Sequence, residues 1–289
     1  MRFTFALLLA ALNTGLATPI NVATTVDKRA TVSTATYNDL VFYFQYASSA
    51  YSTTGCARPN GNTLVSTIND VLTDTQGFIA RDDTRKEIVV AMRGSTSVQD
   101  FISDAEILLT PFVSPGVSPP SGSLAHTGFL TAWNSVASNV ISTVKAQVAA
   151  HPGYQLVSTG HSLGGALSSL AGISLQQNFP GNTVRMYTYG QPRTYNPTGA
   201  KFINTQFGSR AFRAVHTTDG VPTIIPQIDG YQHHGVEFWN FLDPSSALTT
   251  KSCAASGEDI TCSDSIPSEG IDAAHLEYFN IPASTTFCT

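Results

Sequence analysis

Apolar side chains recur along this chain at several spacings, and each spacing predicts a different element. From Tyr37 to Tyr51, Leu40, Val41, Phe44 and Ala47 fall at helical intervals, which predicts a helix with one face on a core. Gln76–Arg81 and Glu87–Arg93 are β-rich runs on either side of the polar turn Asp82-Asp83-Thr84-Arg85, the pattern of a hairpin. Phe129 to Ala150 carries Leu130, Trp133, Val136, Ala137, Val140, Ile141, Val144 and Val148 on a long amphipathic stripe, stopped by His151-Pro152-Gly153. Tyr154–Thr159 then reads as a strand and Leu163–Gln177 as a small-residue helix, with further strands at Val184–Tyr189 and Ala211–Thr217. Helices alternating with strands predict an α/β sheet covered on both faces.

The start of the chain does not fit this pattern. Met1-Arg2 precedes an apolar run from Phe3 to Leu12 that Asn13 and Thr14 interrupt, too short for a membrane span of about 20 residues. With the small-residue zone Gly15-Leu16-Ala17 it reads as a signal peptide, 1–17. The polar stretch from Thr18 to Asp27 ends in Lys28-Arg29, which reads as a propeptide, 18–29, and leaves 30–289 as one domain. The expectation is therefore a secreted, monomeric protein with no transmembrane anchor.

Charge narrows the partners. The whole chain carries a formal charge of -5, and residues 30–289 hold 12 basic and 19 acidic groups. Too little positive charge is available to neutralise phosphates, so nucleic acid is excluded, and anionic lipid headgroups are not attracted. The four cysteines, Cys56, Cys253, Cys262 and Cys288, read as two disulfides in an exported chain. Three pairings are possible, one of them a local Cys253–Cys262 clip that leaves Cys56 to tie the early chain to Cys288. No Cys-x-x-Cys or paired-histidine spacing supports a metal site. No Asn-x-Ser/Thr sequon is present, so N-glycosylation is not expected.

Candidate chemistry centres on Gly160-His161-Ser162-Leu163-Gly164, a Gly-x-Ser-x-Gly pattern between a predicted strand and a predicted helix. There a sharp turn exposes the serine oxygen, and the helix start offers backbone N–H groups to an oxyanion. A serine hydroxyl needs a base oriented by a carboxylate. The acid is assigned to Asp219, at the end of the last predicted strand in Thr218-Asp219-Gly220-Val221-Pro222, and Asp229 to a turn. The base is assigned to His275 in the final stretch of chain. His233 and His234 are read as structural or substrate-adjacent hydrogen bonders, and His161 as a support of the turn.

With Met92-Arg93-Gly94-Ser95-Thr96-Ser97, Tyr189-Gly190-Gln191-Pro192-Arg193, His216 to Pro222, Gly235-Val236-Glu237-Phe238-Trp239 and His275 to Phe279 added, the chain resembles the fungal class 3 lipase family, which includes feruloyl esterases. The resemblance implies an α/β-hydrolase fold, a mostly parallel central sheet with helices on both faces and a short lid helix. It also implies Ser162, Asp219 and His275 as the catalytic triad, and Ser95 with the Leu163 N–H as oxyanion donors. Finally, it implies the pairings Cys56–Cys288 and Cys253–Cys262. In this family a lid follows the oxyanion residue. Ser97 to Ile107 fits, with Val98, Phe101 and Ile102 on an apolar, substrate-facing side, although Phe101 stands where many family lipases carry tryptophan.

The function implied is hydrolysis of acylglycerol esters at a lipid–water interface, with no cofactor and no metal. The rival is a feruloyl esterase, supported by Gly235 to Trp239 and Asp272-Ala273-Ala274-His275. That branch tends to a polar lid and a threonine after Arg-Gly, where this chain has an apolar lid face and Ser95. A third reading is a catalytically silent binding protein on the same fold, against which an intact Ser, Asp and His set argues.

Overall fold

The computed structural model describes residues 31–52, 54–95 and 107–289. The signal and propeptide segments lie outside these residues, as do lid positions Val98, Phe101 and Ile102.

Helix α1 spans Thr34–Ser49, and Ser33 caps it by accepting the Thr36 N–H. Strands β1 (Thr63–Asp70), β2 (Thr75–Asp82) and β3 (Glu87–Met92) form an antiparallel meander. Two short strands, β4 (Leu109–Pro111) and β5 (Leu124–His126), pair with each other and lead into helix α2 (Thr127–Ala150). Strand β6 (Gln155–His161), helix α3 (Leu163–Asn178), strand β7 (Val184–Tyr189), helix α4 (Pro197–Phe207) and strand β8 (Ala211–His216) then alternate. Strands β9 (Val236–Asn240) and β10 (Thr250–Ser252) complete the sheet. The two-residue strands β11 (Glu277–Tyr278) and β12 (Ile281–Pro282) pair near the C-terminus.

The eight sheet strands lie in the order β1-β2-β3-β6-β7-β8-β9-β10, parallel from β3 to β9 and antiparallel at both edges. Strand β3 shows why the centre reads as a continuous apolar run. Ile88, Val90 and Met92 pack with α2 and α3 on one face, while Val89 and Ala91 pack with α1 on the other. The layered sheet with a strand–serine–helix corner is the α/β-hydrolase fold.

Several predicted elements move by a residue or two. The strand expected at Tyr154–Thr159 is Gln155–His161, and the one expected at Ala211–Thr217 stops at His216 because Thr217, at φ 35°, already turns. Strands β1, β9 and β10 and helix α4 were not anticipated. β1 is a half-exposed edge of mixed polarity, and β9 buries Glu237 as the partner of the buried Arg213. The structure joins Cys56 to Cys288 and Cys253 to Cys262. Among the described residues no helix is long and apolar enough to cross a membrane.

Candidate active site

Ser162 sits between the last residue of β6 and the first of α3, at φ 61° and ψ -130°. An L-residue adopts this left-handed region only when the surroundings hold it there. Part of the hold is the Ser162 N–H, which donates to the Tyr189 carbonyl at 2.8 Å, while the Gly165 N–H donates to the Ser162 carbonyl. The rest is close approach: a Cβ on Gly164 would lie 2.3 Å from the Met92 carbonyl oxygen and 2.8 Å from the Gly94 nitrogen. The same contact brings the end of β3, and with it the half-buried Ser95, to the corner where α3 presents the Leu163 N–H.

His275 reaches this corner from a single 3-10 turn, Ala273–Leu276, far along the chain. Its Nε2 lies 2.9 Å from Ser162 Oγ, and its Nδ1 lies 3.0 Å from both carboxylate oxygens of Asp219. All three side chains are buried. Asp219 occupies the turn after β8, where its Oδ1 accepts the Val221 N–H at 2.9 Å. The Tyr278 hydroxyl donates to Asp219 Oδ2. Burial pushes the Asp219 carboxyl up, but the charge and hydrogen bond of His275, the Tyr278 hydroxyl and the Val221 N–H outweigh it and hold the group below its usual range. Burial and the Asp219 charge in turn push the Tyr278 phenol up, so it remains a donor.

The other histidines are placed differently. His161 Nε2 donates to the His275 carbonyl at 2.9 Å, and its Nδ1 pairs with the Tyr51 hydroxyl at 2.8 Å. Burial, then the neighbouring His275, lowers it to about 3, so it stays neutral while its ring lies 4.5 Å from that of His275. His233 Nε2 donates to the Pro222 carbonyl at 2.7 Å, and His234 Nε2 lies 2.9 Å from Ser169 Oγ. Asp229 ends a 3-10 turn before Gly230 at φ 86°.

Four supporting residues escaped sequence reasoning. Tyr278 is one. Asp272 caps the base turn by accepting the His275 N–H at 3.0 Å and accepts from Thr218 Oγ1 at 2.7 Å, so it joins the base turn to the acid turn. Gly190, at φ 54°, leaves room for the dyad: a Cβ there would lie 2.7 Å from Asp219 Oδ2 and 2.9 Å from His275 Nδ1. Tyr51 anchors His161. The segments Tyr189-Gly190-Gln191 and His275 to Phe279 had marked two of these positions without giving them a role. Among the described residues the one grouping of metal-donor types is Glu237 with Cys253 and Cys262, whose sulfurs are bonded to each other and so unavailable as ligands.

The chain is similar to known proteins over most of its length. Residues 89–228 match the model of the class 3 lipases. The chain is 33% identical over 267 residues to a secreted alkaline triacylglycerol lipase of Penicillium cyclopium, covering 91% of this chain and 90% of that protein. It is 34% identical over 226 residues to a lipase of Rhizopus niveus, covering 77% of this chain, and it spans only 55% of that relative's length. The crystal structure of a lipase from Rhizopus microsporus var. chinensis superposes with a TM-score of 0.80 at 35% identity, covering 89% of this chain and 92% of that one.

Proposed function

The chain belongs to the class 3 lipase family, and from that premise we propose that it is a secreted carboxylic-ester hydrolase that cleaves acylglycerols through an acyl-enzyme. One observation carries the reading: Ser162 Oγ stands 2.9 Å from His275 Nε2, with the Asp219 carboxylate on the far side of the same ring.

The steps follow from that geometry. Ser162 Oγ attacks the ester carbonyl as its proton passes to His275 Nε2, and Asp219 stabilises the imidazolium so formed. The carbonyl oxygen becomes an anion, received by the Leu163 N–H at the start of α3 and by Ser95. As the C–O bond to the glycerol breaks, His275 returns the proton to the departing alkoxide, leaving the acyl group on Ser162. Water then attacks with His275 as base, the fatty acid leaves, and the serine regains its proton. Neutral His161 suits this cycle, because a second cation beside His275 would oppose the imidazolium.

Processing at 1–17 and 18–29, export, and a mature domain of 30–289 belong to the same proposal. They are supported by the sequence of the first 29 residues, the two disulfides and the secreted relative. So does a lipid–water interface as the site of action for a monomeric enzyme. The relatives and structure reported above all carry lipase names, which favours acylglycerols over feruloyl esters. Rates on a tributyrin emulsion against methyl ferulate test the substrate class: faster turnover of methyl ferulate overturns it. A fluorophosphonate probe that labels the wild type but not Ser162→Ala tests the nucleophile.

A further inference from the structure

Exposed aliphatic side chains are unevenly distributed between the two ends of the sheet. The catalytic end is the one where β6 stops at Ser162. Strand β2 runs antiparallel to β3, so the β1–β2 turn lies at that end, and it carries Val71 at 84% and Leu72 at 97% exposure. Strand β9 runs parallel to β8, so the β9–β10 connection lies there as well, with exposed Leu242 and Leu248. Leu276 directly follows the base, and Leu108 accepts the N–H of Thr127 at the start of α2; both are exposed. The connections at the opposite end, 83–86, 151–154, 180–183 and 208–210, carry no exposed large aliphatic, and Asp83, Arg85, Lys86 and Arg210 lie there instead. Ile228, in the 3-10 turn Gln227–Asp229 between β8 and β9, Ile260, in the loop clipped by Cys253–Cys262, and Val113 are exposed apart from these turns.

The β1–β2 tip stands out because it is both apolar and built. Asp70 Oδ1 accepts the N–H groups of Leu72 and Thr73 and the Thr73 hydroxyl, at 3.1, 3.0 and 3.0 Å. Thr73 Oγ1 bonds Ser135 on α2 at 2.9 Å, and Asp74 pairs with Arg93 at 3.1 Å, two residues before Ser95. The turn is thus fastened on both sides while two neighbouring aliphatic side chains face water. Single exposed apolar residues are ordinary, but a braced pair at the catalytic end is not explained by the fold.

From this we propose that the Val71-Leu72 tip is an anchor that inserts into an electrically neutral lipid surface and sets the catalytic end against it; the idea rests on the acylglycerol reading above. A protein partner fits poorly, since stable interfaces bury about 800 Å² per partner and two side chains flanked by Asp70 and Asp74 offer far less. A lipid surface needs no matching shape, only apolar depth. Asp70 beside the tip and the excess of 19 acidic over 12 basic groups in residues 30–289 select against anionic headgroups and leave uncharged or zwitterionic lipid as the occupant.

The test uses the full chain with Ser162→Ala, so that no turnover disturbs the lipid. A polarity-sensitive fluorophore is attached through Leu72→Cys, or through Thr84→Cys at the opposite end as control. On phosphatidylcholine vesicles the label at 72 shifts to the blue and brightens while that at 84 does not, and phosphatidylglycerol vesicles give the weaker response. No response at 72, an equal one at 84, or a stronger one to phosphatidylglycerol overturns the proposal. In the active protein, Val71→Ser with Leu72→Ser slows hydrolysis of a tributyrin emulsion about tenfold or more and leaves a soluble short-chain ester within about twofold; equal losses on both substrates also overturn it. The vesicle arm is independent of catalysis: a label at 72 that responds in a protein whose wild type cleaves no ester would sink the acylglycerol reading and keep the anchor.

Discussion

Two serine–histidine pairs lie buried in this molecule at the same separation. Ser162 Oγ is 2.9 Å from His275 Nε2, and Ser169 Oγ is 2.9 Å from His234 Nε2. The distance therefore cannot be what makes a nucleophile. Ser162 stands alone on its turn at φ 61°, with the corner of β3 and α3 around it, whereas Ser169 lies two turns into α3 and also meets the Tyr195 hydroxyl. Behind His275 is a carboxylate. Behind His234 there is none: burial, then Arg213, lowers that imidazole to about 3, so it cannot hold the proton a nucleophile must surrender. A ring that can become a cation, with an anion placed to receive the charge, separates a reaction centre from a structural hydrogen bond.

The largest effect follows from removing the two hydroxyls in turn. Ser162→Ala should reduce kcat on a soluble short-chain ester by about 10⁶-fold. Ser169→Ala should leave kcat/KM within about twofold, while lowering stability by about 1–2 kcal/mol through the partners it strands. Comparable kinetic losses in both variants would show that the two pairs are not distinct. Removing the carboxylate comes next: Asp219→Asn should cost about 10⁴-fold in kcat, because the amide presents the wrong partner to Nδ1, with thermal denaturation checking that the fold is kept.

The contrast was only partly legible in the sequence. Gly160 to Gly164 between a strand and a helix points to Ser162 because the elbow is a local structure, encoded where it forms. Asp219 and His275 could be proposed because strand ends and chain order leave few candidates. Tyr278, Asp272 and Gly190 could not, because their roles exist only after separate turns meet: nothing near Gly190 in sequence says that a carboxylate and an imidazole pass within 3 Å of where its Cβ would stand. The same holds for His233 and His234, two adjacent histidines lowered first by burial and then by Arg213, surroundings that their place in the sequence does not reveal. Strand β9 was missed for a related reason, since the burial of Glu237 makes sense only opposite Arg213.

Buried neutral histidines also have a cost that appears with pH. Burial lowers His126 to about 4, and His161 and His234 to about 3, from an ordinary value of 6.5, and it lowers His233 as well. Between those values the unfolded chain binds protons that the folded chain refuses, so stability falls as pH drops below about 6.5, by about 1.4 kcal/mol per group per pH unit. Asp219 adds to this further down: its lowered carboxyl stabilises the fold above the ordinary 3.8 and loses that contribution as pH falls through its folded value. Chemical denaturation at pH 7 and pH 5 should show a loss of several kcal/mol, and His234→Asn should flatten the slope. A slope unchanged in that variant would mean that His234 titrates equally in both states.

The smallest effect concerns the one donor to the acid that comes from another side chain on the base's own segment. Tyr278 gives Asp219 a hydrogen bond that the structural pair has no equivalent of, since His234 has no acid behind it. Tyr278→Phe keeps the buried ring and removes only that donor, at about 1.5–3 kcal/mol for a bond to a charged group. If the loss falls on the transition state, kcat should drop about tenfold with KM unchanged. The carboxyl, less well solvated, should titrate higher, so the acid limb of the kcat profile should move toward neutral pH. A purely packing role for the ring predicts neither change, because phenylalanine fills the same space. Rates of wild type and variant on a soluble ester from pH 4 to 9 distinguish the two, and superimposable profiles would remove Tyr278 from the machinery.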